Sequence, residues 1–180
     1  MLFDDSDIKI AGAKPSETVK KYKTDKSAED LSEDSVLAAK NLGKAIASDF
    51  INAVNNAVFD DASDPQMLAN KQILLSFTVS VTLDEFCVSD AVSGVAEKSF
   101  LDEIHKNSPE IFDNCSDTGA FSFYYLAYRR KTEVDRRIGQ TFAMLCSHDG
   151  DSIYQELGEA LYCWFISVIK SEIERFKLIK

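Results

Sequence analysis

The hydrophobic pattern of the chain centres on the segment from Asp64 to Val88, which contains no glycine and, after Pro65, no further proline. In a helix, this segment has two apolar faces about 200° apart, at 100° per residue. The first face carries Ile73, Phe77 and Val81, and the second carries Leu75, Val79 and Leu83. Because a helix that is apolar on opposite faces must be covered on both, the pattern predicts a buried central helix.

The same segment has a second interpretation as a strand. Between Leu75 and Leu83, apolar and hydroxyl residues alternate without a break, as in a half-buried strand. However, Asp64 followed by Pro65 is a typical helix start, and a strand usually ends after roughly five or six residues. The serines and threonines also fit a helix, where they can donate to a carbonyl one turn earlier. A helix is therefore predicted, and an α+β fold with strands near 75–83 and 121–128 is the alternative.

Apolar residues at helical spacing predict further helices on both sides of this segment. These helices run from Asp34 to about Phe59, from Ser89 or Asp90 to Asn107, from Val134 to Cys146 and from Ser152 to about Ile179. The aromatic segment 121–128 either joins the third of them as a kinked helix or stands alone. The prediction is an all-α fold, a single-domain bundle of about five main helices over residues 34–180.

Several local features refine this prediction. Residues 113–119 have the composition of a turn-rich loop, and Ser152 with Gln155 has the form of a capping box. Gly139 and Gly158 suit close helix packing. The last helix is expected to be one of the two most buried, with the central one. Its prominent apolar residues are Ile153, Leu157, Leu161, Trp164, Val168 and Phe176.

Residues 1–33 differ in composition from the rest of the chain. They are rich in Lys, Asp, Glu and Ser, and they contain few large apolar residues. Such a segment buries too little apolar surface to offset the entropy lost on ordering. We therefore expect a loosely ordered or weakly docked arm outside the helical bundle.

Charge and cysteine usage narrow the classes of partner. The net charge of −10 argues against nucleic acid and against an anionic membrane surface as partners, because both are negatively charged. The four cysteines are widely separated and match neither a zinc site nor a redox dithiol. The N-terminal residues lack the order of a secretory signal. A cytoplasmic protein with free thiols and no cofactor is expected.

A basic and aromatic cluster is the main candidate for a binding site. Four of the five arginines lie between positions 129 and 137, directly after three tyrosines. Arginine binds carboxylates and phosphates and stacks on aromatic rings, so a pocket for a small anionic ligand or an acidic partner segment is one interpretation. The other is a solvated face that balances acidic neighbours. The candidate ligand-binding residues are Tyr124, Tyr125, Tyr128, Arg129, Arg130, Arg136, Arg137 and Trp164.

Two catalytic interpretations are weaker. Cys146, His148 and Asp149 lie close in sequence, but neighbours in one turn rarely have the geometry of a nucleophile and its base. The order of His105, His148 and Asp149 resembles the His…His-Asp…Asp order of metal-dependent HD phosphohydrolases. The chain departs from that order because no aspartate follows Asp151 and a further metal-ligating histidine is missing. No catalytic residue and no metal ligand are therefore predicted.

The leading hypothesis for function is a non-catalytic cytoplasmic helical domain that associates with another protein or with itself. A small-molecule binding domain with a Tyr/Arg-lined pocket for an anionic ligand is the alternative. A cysteine-based or HD-like hydrolase is the third hypothesis.

Overall fold

A computed structural model of the chain describes residues 31–55, 65–116 and 118–180. The described residues form seven α-helices, which are α1 Glu33–Asn55, α2 Pro65–Phe86, α3 Asp90–Asn107, α4 Pro109–Cys115, α5 Thr118–Arg129, α6 Val134–Leu145 and α7 Ser152–Arg175. This confirms the all-α prediction. The alternative α+β fold is wrong, because residues 75–83 lie within α2 and residues 121–128 lie within α5.

The number of helices exceeds the expected five because α5 and α6 are separate and α4 adds a helix of seven residues. Lys131 and Glu133 have φ values of 56° and 47°, and this left-handed backbone ends one helix before the next begins. Residues 1–30 of the expected N-terminal arm lie outside the described residues, and α1 begins at Glu33, the last residue of that arm. The predicted end of the first helix near Phe59 is also outside them.

Helix α2 separates two hydrophobic cores, as its two apolar faces predict. Leu75, Val79 and Leu83 point into the first core, which α2 shares with α1, α3 and α7. Ile73, Phe77 and Val81 point into the second core, which α2 shares with α5, α6 and α7. Of the hydroxyls between these residues, that of Thr78 donates to the carbonyl of Leu74 at 2.8 Å and is satisfied. The buried Thr82 hydroxyl has no hydrogen-bond partner within the described residues.

The first core is closed by aromatic rings and by a close contact between α1 and α3. The Phe50 ring meets Phe100 edge-on at 5.4 Å and Phe165 at 6.2 Å between ring centres. Gly43 lies against the backbone of α3, where an added Cβ would be 2.3 Å from the carbonyl oxygen of Ala96. Only glycine permits this approach of the two helices.

Helices α6 and α7 pack closely at the two glycines that the sequence indicates. A Cβ on Gly139 would be 2.3 Å from the carbonyl oxygen of Gln155, and one on Gly158 would be 2.5 Å from Phe142 Cβ. Each glycine thus removes a side chain where the opposite helix passes. This contact holds the α5–α6 pair against the rest of the bundle.

Two local predictions need correction. The loop expected over 113–119 is shorter, since α4 continues to Cys115 and α5 begins at Thr118. The N-cap of α7 is Asp151, whose carboxylate accepts from the Ile153 amide at 2.8 Å. Ser152 therefore lies inside the helix and does not cap it, because an aspartate one residue earlier serves the same free amides.

The buried face of α7 also differs from the expected one. Ile153 and Trp164 are largely exposed, and the face that packs inward carries Gly158, Leu161, Tyr162, Phe165, Ile169 and Ile173. Both choices have helical spacing, so periodicity alone did not identify the inward face. Helix α7 is accordingly less buried than α2.

The last residues of the chain close the end of α2. Cys87 and Ile179 form an isolated antiparallel bridge, and the Val88 amide donates to the Leu178 carbonyl at 2.7 Å. The Lys180 amino group donates to the carbonyls of Asp84 and Glu85 at 3.0 and 2.9 Å. It thereby caps carbonyls that have no partner within the helix and places a positive charge at the negative end of its dipole.

Candidate functional site

Helices α5 and α6 form a hairpin that presents an open surface groove. The four residues from Arg130 to Glu133 connect the two helices, and Arg137 Nε donates to the Thr132 carbonyl at 3.0 Å. This bond holds the Arg137 side chain beside the turn. The short connection makes the helices antiparallel neighbours.

We call the groove on the outer side of this pair the hairpin groove. It encloses about 320 Å³. Its walls are the i, i+3, i+4 and i+7 positions of each helix, so one stripe of α5 faces one stripe of α6. The lining residues are Phe123, Leu126, Ala127, Arg130, Arg137, Gln140, Thr141 and Met144, with Asp149 beyond the end of α6.

Large apolar side chains in the groove are exposed to solvent. Phe123 is 49%, Leu126 57% and Met144 40% exposed. Single exposed apolar residues are common on protein surfaces, but neighbouring ones around one groove indicate an interaction surface. The opposite face of α5 packs inward through Ala120 and Tyr124. Helix α5 is therefore apolar on both faces, and the described residues cover only the inward one.

Tyr124, the first candidate residue, is part of the second core and does not line the groove. Its side chain is fully buried, and its ring stacks on Phe77 with the ring centres 5.5 Å apart. Its hydroxyl has no hydrogen-bond partner in the part of the chain that the structure describes. Burial raises the pKa of this phenol well above its usual value, and the nearby Cys146 thiol raises it further.

Tyr128 is held by charged neighbours on the other side of the hairpin. Its hydroxyl donates to Glu85 Oε2 at 2.8 Å, and Lys131 Nζ lies 3.9 Å from the centre of its ring. Partial burial raises the pKa of Tyr128, while a hydrogen bond with Lys131 opposes that rise. The same hydrogen bond raises the pKa of Lys131. Tyr128 thus anchors α5 to the end of α2.

The four arginines divide into two pairs. Arg130 and Arg137 line the hairpin groove. Arg129 instead lies 5.9 Å from the centre of the half-exposed Tyr125 ring, and Arg136 Nη1 is 3.4 Å from Glu133 Oε1 in an exposed ion pair. Only one pair of the predicted cluster therefore shares a surface with the apolar residues of the groove.

Trp164 is separate from the other candidate residues. It lies on α7 with 48% of its surface exposed, and its ring packs on Phe165 of the first core at 5.5 Å. Within the described parts of the chain, α5 and α7 do not approach each other within 8 Å between Cα atoms. The structure therefore does not bring Trp164 to the tyrosines or to the groove.

The thiol and imidazole groups near the turn after α6 are packed with other partners. Cys146 is buried in the second core, and the His148 ring stacks on Tyr154 with 3.7 Å between ring centres. Elsewhere, burial raises the pKa of Cys87 to about 11 and that of Cys115 to about 12. A thiol with a raised pKa is a poor nucleophile near neutral pH because little of it is ionised.

The possible metal ligands are dispersed over the described residues. His105, the other histidine, packs edge-on against Phe112 with 4.6 Å between ring centres. In residues 31–55, 65–116 and 118–180, no group of three or more His, Cys, Asp or Glu side chains is arranged to hold a metal ion.

A second, smaller depression lies between α1 and α3. It encloses about 200 Å³ and is lined by Lys44, Ser48, Ile51, Asn52, Glu103 and Asn107. Two of its polar side chains are hydrogen-bonded to each other, since Asn107 Nδ2 donates to Glu103 Oε1 at 2.8 Å. None of the large exposed apolar side chains lines it, so the hairpin groove is the stronger candidate.

Sequence reasoning missed the apolar half of the groove. Phe123, Leu126 and Met144 were not among the candidate residues, although Phe123, Leu126 and Arg130 have the i, i+3 and i+7 spacing of one helical face. That spacing was the available signal. The tyrosines of the same helix have a similar spacing and were predicted to form the binding surface instead.

None of the helices in the described ranges is both long enough and apolar enough to cross a membrane. Comparison of the chain with protein-family models, curated proteins and solved structures finds no match.

Proposed function

We propose that this chain is a non-catalytic helical domain that associates with another protein through the hairpin groove. The observation that carries the proposal is the exposure of Phe123, Leu126 and Met144 around one groove. Removing these side chains from water is favourable by roughly 25 cal/mol per Å² of apolar surface. Burial of this face by a partner protein therefore favours binding.

The shape of the groove supports a protein partner over a small molecule. Small-molecule sites usually enclose most of their ligand, whereas this groove lies open along two helices. Interfaces between proteins are typically rich in aromatic residues, Met and Arg. The groove contains all three in Phe123, Met144 and its two arginines.

A small anionic ligand is the second candidate. Its support is that Arg130 and Arg137 line the same groove, where two guanidinium groups could bind one phosphate or carboxylate. The Tyr-lined pocket expected for such a ligand has less support, because Tyr124 is buried and Tyr128 is bonded to Glu85. Self-association through the groove is a variant of the leading proposal.

We further propose that the protein acts in the cytoplasm. Cys87, Cys115 and Cys163 are free thiols among the described residues, and such thiols persist in a reducing compartment.

Photocrosslinking with a matched control tests the association. A photoreactive amino acid replaces Leu126 in one variant and Leu37 of α1 in the other, since these leucines have similar exposure at 57% and 58%. We expect crosslinked adducts, with another protein or with a second copy, from position 126 and not from position 37. Adding Met144→Lys to the first variant is expected to lower the yield at least fivefold.

Two outcomes would contradict the proposal. Equal crosslinking from positions 126 and 37 would mean nonspecific contact, and no crosslinking from position 126 would mean that the groove is not an association surface.

Native mass spectrometry of the purified chain tests the anionic-ligand candidate, which requires an added mass that is lost in Arg130→Ala/Arg137→Ala.

A further inference from the structure

We infer that the hairpin groove binds an acidic amphipathic helix of a partner protein, with the carboxylates of that helix at the turn end of the groove and its apolar side chains at the open end. This inference rests on the proposed association. It adds the chemistry of the partner and the direction in which it lies.

The groove changes character along its length. Arg130 follows α5 and Arg137 lies one turn into α6, so both arginines stand beside the connecting turn. Because the helices are antiparallel neighbours, Phe123 and Met144 stand together at the opposite end. The groove therefore has a basic end and an apolar end.

Charge sets the direction of the partner. Asp149 lines the groove beyond the end of α6, which places a negative charge at the apolar end. A carboxylate of the partner is repelled there and attracted to the two guanidinium groups at the turn end. A partner helix with acidic residues in one turn and apolar residues in the next two thus fits in one orientation.

The two groove arginines are available for such contacts. Within the described residues, Arg130 takes part in no ion pair, and Arg137 uses Nε for the Thr132 carbonyl while its terminal nitrogens have no carboxylate partner. Arg136, in contrast, is paired with Glu133. Charge-assisted hydrogen bonds from guanidinium to carboxylate are roughly twice as strong as neutral ones.

The local charge is opposite to that of the whole chain. Residues 118–149 carry five Lys and Arg side chains and three Asp and Glu side chains, although the chain has a net charge of −10. The surrounding negative charge disfavours a nucleic acid or an anionic membrane, whose charge extends far beyond two arginines. A short acidic peptide segment meets only the local positive potential.

The size of the groove suits a helix. The lining positions 123–130 and 137–144 each span about 10 Å at 1.5 Å per residue, or two turns of a parallel partner, and Asp149 extends the groove beyond them. Amphipathic helices bind in grooves through side chains at i, i+3 or i+4, and i+7. The facing stripes of α5 and α6 have this same repeat, so ridges of the partner can lie between them.

Fluorescence anisotropy with a synthetic peptide tests the inference on the full 180-residue chain. The probe is a labelled helical peptide with three Glu in its first turn and Leu, Phe and Leu at i, i+3 and i+7 in the following turns. We expect Arg130→Glu/Arg137→Glu to weaken binding at least tenfold. Arg129→Glu/Arg136→Glu, with the same charge change outside the groove, is expected to stay within about twofold of the original affinity.

Two further peptides separate the contributions of charge and apolar contact. Replacing the three Glu with Lys is expected to abolish binding, and replacing the apolar residues with Ala is expected to weaken it at least tenfold. A peptide with the same composition but with Glu in its middle turn tests direction and is expected to bind at least fivefold more weakly. Circular dichroism of each protein variant checks that its helix content is unchanged.

Several results would overturn the inference. Equal weakening by the two arginine double variants would mean a long-range effect of charge, and equal binding of the Glu and Lys peptides would remove the acidic requirement. No peptide binding together with crosslinking from position 126 would leave the association intact with a partner of other chemistry. A dimer in light scattering that dissociates in Arg130→Glu/Arg137→Glu, without peptide binding, would assign the groove to a second copy.

Discussion

The two sides of α2 are both buried hydrophobic cores, but the helices that cover them differ in their outer surfaces. On the first side, α1 and α3 meet at Gly43 and cover Phe50, Phe100 and Phe165. On the second side, α5 and α6 cover Phe77 and Tyr124 yet leave Phe123 and Leu126 exposed on their outer surface. The outer helices of the second side therefore carry more apolar surface than the fold itself uses.

This difference separates stability from interaction. A face that is fully covered within the domain contributes free energy of folding, whereas an apolar face left in water contributes nothing to folding and is available to a partner. Neither side is free of unfavourable groups, since among the described residues the Tyr124 hydroxyl of the second core and the Thr82 hydroxyl of α2 are both buried without a hydrogen-bond partner. The hairpin thus combines a buried core face with the candidate binding surface.

The largest expected effects come from truncating one aromatic ring in each core. Phe50→Ala and Phe77→Ala are each expected to lower the free energy of unfolding by about 3–5 kcal/mol, because each leaves a cavity among packed rings. Since α2 and α7 belong to both cores, each variant should unfold in one transition. Urea denaturation followed by far- and near-ultraviolet circular dichroism measures both properties.

Separate transitions for the two circular dichroism signals would contradict this prediction. They would mean that the side of α2 covered by α5 and α6 unfolds independently, so that the two cores belong to separate folding units.

A smaller effect on stability is expected from adding a methyl group at the close contact between α1 and α3. Gly43→Ala should lower the free energy of unfolding by about 1–3 kcal/mol, because the new methyl group meets the Ala96 backbone at 2.3 Å and pushes the helices apart. Gly94→Ala is the matched control, since its Cβ has no neighbour within 4 Å. It should raise stability by up to about 1 kcal/mol through helix propensity. Thermal and urea unfolding of both variants give the comparison.

Equal effects of the two glycine variants would show that the first side is not packed as closely as its geometry indicates.

The smallest effects come from two tyrosine hydroxyls and differ in sign. Tyr124→Phe should raise the free energy of unfolding by about 1 kcal/mol, because it removes a buried hydroxyl that has no hydrogen-bond partner among the described residues. Tyr128→Phe should lower it by about 1 kcal/mol, because it removes the 2.8 Å hydrogen bond to Glu85. Urea denaturation at pH 7 measures both, where neither phenol is ionised. A loss of stability in Tyr124→Phe would mean that its hydroxyl is solvated or bonded in solution.

The sequence predicted the fold more fully than the candidate site. Helix class, the two faces of α2 and the close packing at Gly139 and Gly158 follow from local spacing and residue size, which tertiary contacts did not override. The site was only half anticipated. The arginines between 129 and 137 are visible as a cluster, but one pair faces the groove and the other pair does not.

The sequence by itself determined where the long helices form, because 3.6-residue periodicity is a property of neighbouring residues. It also determined that α2 needs cover on both faces. The tertiary structure alone decided which face of α5 and of α7 is inward, since each offers two apolar choices and the packing of distant helices selects one. For the same reason, only the fold placed Tyr124 in a core, left Phe123 and Leu126 in solvent and brought Arg130 beside Arg137.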